Sequence, residues 1–203
     1  MNKYENDITH IRQMMERSST FMSLSGLSGV GAGLVALVGC LLTFYILGEH
    51  QIDYFDGKPN YYSYQVIIQL AGVASATLVL AIDSGIYFTV QKSKKLGSPL
   101  WSSATRNTVN AASVPLVIGG LFCIIVTWHH LFYLVAPCML IFYGLALVSA
   151  SKYTHKDIYY LGVFELVLGI FAAIFVGYGL VFWGIGFGIL HIIYGILIHQ
   201  KYK

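Results

Sequence analysis

The sequence predicts an all-α, polytopic membrane protein with six transmembrane helices preceded by a short amphipathic interfacial helix. Three observations carry this. Of 203 residues, 57% are hydrophobic and only 10% are charged, whereas an ordinary soluble domain carries about a quarter charged residues. Apolar runs of roughly twenty residues recur, each long enough to cross a hydrocarbon core about 30 Å thick. The runs are continuous rather than alternating, which excludes the strands of a membrane barrel. No polar stretch is long enough for a separate soluble domain, so residues 1–203 read as a single transmembrane domain.

The opening stretch, MNKYENDITHIRQMMERSS, mixes both charge signs. It lacks the basic start and small-residue cleavage site of a signal peptide, so it is expected to stay on the mature protein. Residues 6–19 fit an amphipathic helix, with Ile8, Ile11 and Met15 on one face and Arg12 and Glu16 on another. Asn6 or Asp7 would cap it. Its expected place is the membrane interface, as a connector or as a docking surface for a cytoplasmic partner.

The six spans are expected at about 24–47, 64–90, 109–128, 131–149, 158–176 and 180–198. An even number puts both termini on one side. Of the 12 Lys and Arg, only Lys58 falls in a loop on the other side. The positive-inside rule therefore makes both termini cytoplasmic. Trp128 and Trp183 fall at the expected outer interface and Trp101 at the inner one, as an aromatic belt requires.

In the first span Ser25, Gly29 and Gly33 recur every four residues. Such a stripe lets two helix backbones approach closely where no hydrophobic effect drives helices together. The same span holds Gly26-Leu27-Ser28-Gly29, and the sixth holds a histidine. A GxSG and a distant histidine resemble rhomboid intramembrane proteases, which also have a six-helix core. That family places its serine on the fourth span, not the first, so the resemblance is set aside.

The first outer loop offers His50, Asp53 and Asp56, and the turn between spans three and four offers His129 and His130. These are nitrogen and oxygen donors of the kind a metal takes, but no pair has a diagnostic spacing. Solvated loop polarity is the expected reading, with no metal and no cofactor. Cys40, Cys123 and Cys138 all fall within spans, as buried free thiols.

The ionisable residues inside the spans are the candidate site. Asp83 lies nine residues before Lys92, and Glu165 nine residues after Lys156. Arg106, Asn110 and Ser113 share one face at the start of span three, below a kink expected at Pro115. Spans five and six are joined by only a few residues around Tyr178, so they form a hairpin. Glu165 and His191 are each thirteen residues from Tyr178, which puts them at one depth. The expectation is one polar layer of Asp83, Arg106, Asn110, Glu165 and His191 in the cytoplasmic half, with Asp83 paired to Arg106. Gly169 on span five and Gly184, Gly188 and Gly195 on span six would let these two helices pack together. The stripes on spans one and six would also permit a homo-oligomer.

The stretches MERSSTFMSLSGLSG, VPLVIGGLFC, LIFYGLALVSASKYT and GYGLVFWGIGFGILHIIYG resemble a family of uncharacterised bacterial six-span integral membrane proteins. The resemblance implies six spans and a bacterial cytoplasmic membrane. It implies no activity and no site residues.

Buried carboxylates beside an imidazole suit proton relays or a closed network that fixes helix register. The expected function is a non-enzymatic sensing or partner-supporting component of the inner membrane. Its partners would be lipid and a cytoplasmic or membrane protein, not nucleic acid. The alternative is a small proton-linked transporter using Asp83, Glu165 and His191, although no inverted repeat or matched pair of broken helices marks one. An intramembrane enzyme is a third reading. It lacks a second axial ligand for haem, a histidine-rich box and a phosphate loop.

Overall fold

The computed structural model describes residues 25–56, 62–97 and 99–201. It is built from six helices, each long and apolar enough to cross a membrane. They are α1 (Gly26–Glu49), α2 (Tyr64–Leu96), α3 (Ser103–Trp128), α4 (Val135–Ala150), α5 (Asp157–Ile174) and α6 (Gly179–Lys201). Short 3-10 turns lead into α4 and out of it. Among the described residues there is no strand. The expected helix over 6–19 lies outside them.

Local signals explain where the helices stop and start. The Ser63 hydroxyl accepts from the Val66 N–H at the start of α2. Gly97, at φ 61°, ends α2 in the left-handed region that glycine enters without strain. The Ser102 hydroxyl accepts from the Thr105 N–H and opens α3. The result is a longer α2 and an earlier α3 than the apolar runs alone suggest. α3 runs through Pro115 without interruption.

Close approach at glycine builds the bundle. α4 and α5 pack through reciprocal contacts. A Cβ on Gly144 would lie 2.8 Å from the Gly162 carbonyl, and one on Gly162 would lie 2.9 Å from the Gly144 carbonyl. α1 and α6 do the same. A Cβ on Gly33 would lie 2.7 Å from the Gly188 carbonyl, and one on Gly195 would lie 2.6 Å from the Val30 amide nitrogen. Where backbones approach too closely to admit a Cβ, dispersion and shape hold helices that lipid alone would not push together.

This pairing corrects one expectation. The glycine stripes of spans five and six do not pack on each other. Gly162 and Gly169 meet α4, while Gly188 and Gly195 meet α1. A hairpin keeps its helices adjacent, but each has more than one flank, and here each glycine flank is turned to a different neighbour. The stripe of Gly29 and Gly33 is likewise filled by α6 of the same chain, with Gly29 set against Gly195 and the His191 carbonyl. These glycines are therefore used within the chain.

α2 and α3 are the loosely held pair. α2 packs along α1, where Gly31 receives Ser84 and Gly39 receives Thr77. α3 packs along α4, where Gly119 receives Phe142. α2 has only two buried residues, Val66 near one end and Ser93 near the other. Val66 joins Leu47 and Tyr62 in a small apolar cluster that closes that end of the bundle. Because the helices alternate in direction, every described Lys and Arg gathers at the opposite end.

A candidate proton site between α4, α5 and α6

Glu165 on α5 is the centre of the buried polar structure. It is 0% exposed, and neither carboxyl oxygen has a hydrogen-bond partner. The Nδ1 of His191 on α6 lies 3.4 Å from Oε1. That nitrogen does not bond the carboxyl, because its N–H donates to the Gly186 carbonyl at 2.9 Å. A carbonyl only accepts, so Nδ1 carries the ring proton. The other nitrogen, Nε2, then accepts from the Tyr143 hydroxyl on α4 at 2.9 Å. Both ring nitrogens are engaged, and the carboxyl beside them is not.

The backbone of α6 makes this arrangement. Residues Gly184–Leu190 form a π turn inside the helix, and such turns mark functional sites more often than chance. Its glycines leave room for neighbours that a side chain would displace. A Cβ on Gly186 would fall 2.5 Å from Glu165 Oε2 and 2.6 Å from Leu140 Cδ2. Phe187 stacks on His191 at 5.9 Å and packs on Tyr143 at 4.8 Å. The carboxyl, the imidazole and the phenol thus sit in an apolar, aromatic wall where polar groups depend on one another. Replacing Tyr143 with phenylalanine removes the donor to Nε2. The expected cost is about 1 kcal/mol of thermal stability, measured by unfolding in mild detergent.

Of the expected layer, the structure brings together Glu165 and His191 and leaves out the other three. Asp83, Arg106 and Asn110 are exposed, and neither Asp83 nor Arg106 makes an ion pair among the described residues. Helix length is the reason. Asp83 lies thirteen residues from the end of α2, about 20 Å along the axis, whereas Arg106 lies three residues into α3, about 5 Å. Equal spacing from a lysine also says nothing about lateral position, and α2 packs on α1 rather than on α5. Tyr143 was the missed member. A hydroxyl in the middle of an apolar span needs a partner, and that was the available signal.

The candidate metal donors of the loops do not gather either. His50 Nε2 pairs with Gln69 on α2 at 2.9 Å. His129 and His130 cap the end of α3 and are exposed. Among the described residues no three His, Cys, Asp or Glu are placed to hold a metal. Ser28 is also engaged elsewhere, its hydroxyl donating to the Ser25 carbonyl, so no Ser–His pair forms. The three cysteines are free thiols.

No family model matches the chain, and no curated protein or solved structure matches it.

A second titratable group lies at the basic end, outside the spans. His155 is buried between α4 and α5. Burial first, and then the nearby Lys92 and Lys201 charges, push its pKa below 6.5, while Asp157 pulls the other way. The unfolded chain therefore takes up a proton as pH falls through about 6.5 and the folded chain does not. Stability from this group is present above that pH and is lost below it, down to the lowered folded pKa. Melting temperatures should fall between about pH 7.5 and pH 5.5, and His155→Gln should flatten part of that slope.

Proposed function

We propose that this protein is a non-enzymatic, proton-sensing component of a bacterial cytoplasmic membrane, with both termini inside. The distribution of Lys and Arg in the sequence supports the orientation. One observation carries the functional reading. Glu165 is fully buried, its oxygens lack hydrogen bonds, and a histidine nitrogen stands 3.4 Å away already committed to a carbonyl. Only a proton on the carboxyl, or a positive charge on His191, can neutralise Glu165 in this place.

The two ways of neutralising it differ in structure. With Glu165 protonated, His191 is neutral and the bonds are those described above. With His191 protonated, Nε2 gains an N–H, so the Tyr143 hydroxyl must turn from donor to acceptor. The Nδ1–H is then drawn toward Glu165 Oε1, which weakens its bond to Gly186 in the π turn. The His191 carbonyl and Gly188 belong to the α1–α6 contact, so a shift in the π turn reaches α1 directly. The sequence just before α1, with its amphipathic pattern over 6–19, is where such a signal would leave the membrane. The transporter alternative calls on Asp83, which lies on α2, a helix that packs on α1 and not on α5.

The test is a distance measurement across α1 and α6 in proteoliposomes. Spin labels on a cysteine-free background, one at position 38 and one at 189, should report a distance change when pH is stepped. Glu165→Gln should abolish it. A pH-independent distance in folded wild-type protein would contradict the reading, as would solute flux driven by the pH step.

A further inference from the structure

We propose that the exposed face of α2 around Asp83 docks a membrane-spanning helix of a partner protein that carries a lysine or arginine at the depth of Asp83. The inference rests on α2 and the groove it shares with α1, and is independent of the Glu165 site.

Asp83 stands thirteen residues from one end of α2 and nineteen from the other, well inside the stretch that must cross the bilayer. Its side chain is exposed. The exposed residues around it are Val79, Leu80, Ile82, Ile86 and Tyr87, which makes this a lipid-facing surface. A carboxylate facing lipid at that depth is costly, and such groups ordinarily turn inward to a partner or a wet cavity. Asp83 has neither a hydrogen bond nor an ion pair among the described residues.

The nearest cations in sequence among the described residues stand at the wrong depth. Lys92 lies half a turn round the helix and about 13 Å away along it, and Lys94, on the same face, is about 16 Å away. Arg106 is about 15 Å from the level of Asp83. A second copy inserted in the same direction would carry its Arg106 at that same wrong depth. Charge complementarity therefore asks for a cation from a different chain.

The surface beside Asp83 has room for a helix. An open-sided apolar groove of about 520 Å³ runs between α1 and α2, lined by Leu34, Val38 and Leu42 on one side and Gly72, Ala76 and Leu80 on the other. A Cβ on Gly72 would meet nothing within 4 Å. Gly72, Ala76 and Asp83 fall on one face of α2 at helical spacing, so a helix laid over the small residues brings its next turns to the carboxylate. Unlike the glycines of α1 and α6, these small residues are not used inside the chain.

The test uses the full chain, donor-labelled, in phospholipid vesicles, with designed single-span leucine–alanine helices bearing an acceptor dye. One peptide has no charge, and the others carry one lysine at successive depths. The lysine peptide matched to Asp83 is expected to bind at least about tenfold more tightly than the uncharged one. Asp83→Asn should remove that advantage and Asp83→Glu should keep it. Because Asp83 is exposed and makes no hydrogen bond or ion pair among the described residues, Asp83→Asn is expected to keep the wild-type melting temperature. If that variant fails to fold, the depth dependence in the wild type decides alone. Equal binding of all peptides would overturn the proposal and leave the groove to lipid. Self-association of the labelled chain that Asp83→Asn abolishes would also overturn it, in favour of a second copy.

Discussion

Gly195→Leu is expected to be among the most damaging single substitutions in the bundle, costing at least about 3 kcal/mol, the upper end of ordinary overpacking. A Cβ at this position would lie 2.6 Å from the Val30 amide nitrogen and 2.7 Å from the Gly26 carbonyl. Both are backbone atoms of α1, so no rotamer change on the neighbour can make room. The helices must separate, and that releases the contacts of Gly29 and Gly33 along the same seam. Gly120→Leu supplies the control. A Cβ at Gly120 would meet nothing within 4 Å, so the same change there should be nearly neutral. Thermal unfolding of both variants in one detergent checks the difference, and similar losses would mean that the α1–α6 seam is not held by close backbone approach.

The second large effect has the opposite sign. Glu165→Met is expected to raise stability by about 1–3 kcal/mol, the cost of a buried polar group left without its bonds. Methionine is unbranched and close to glutamate in length, so it can fill the same space without a cavity. The gain should come with loss of the pH-dependent change between α1 and α6. That combination separates a site kept for its chemistry from one kept for packing. Gly186→Ala tests the same spot from the other helix. It drives a methyl group into Glu165 Oε2 and Leu140, and should destabilise. Removing the carboxylate in the double variant Gly186→Ala/Glu165→Ala should recover part of that loss, a coupling expected only for residues in contact. A Glu165→Met variant less stable than the wild type would mean that the carboxyl is hydrogen-bonded in the native protein.

Much of the architecture is legible in the sequence because the bilayer imposes it. A run of about twenty apolar residues has one physical use, and all six runs became helices. Their ends were harder. α2 continues through Gln91, Lys92, Ser93, Lys94 and Lys95 to Leu96, because polar residues of good helix propensity extend a helix into water once an apolar span has started it. Hydropathy stops reading at Val90.

The site was legible only where covalent connection fixes geometry. Glu165 and His191 are found by counting equal distances from a tight turn, since a hairpin holds its two helices side by side. Asp83 and Arg106 are joined by a loop too, but α2 and α3 pack on different neighbours. Depth could be counted for them while contact could not. The π turn at Gly184–Leu190 has no sequence signature beyond its glycines, which read equally well as packing residues. Tyr143 lies in a span that otherwise looks like filler, and its hydroxyl gains meaning only once His191 is seen beside it.

The most direct measurement is infrared difference spectroscopy of the reconstituted protein as bulk pH is swept, following the carboxyl C=O stretch. Glu165 is the buried, unbonded carboxyl among the described residues. The expected result is a pH-dependent protonated-carboxyl band that disappears in Glu165→Gln and shifts in Tyr143→Phe, as the imidazole between them changes its bonds. A carboxyl band that stays the same in Glu165→Gln, or no pH-dependent band in folded wild-type protein, would contradict a proton held at Glu165 and with it the sensing role.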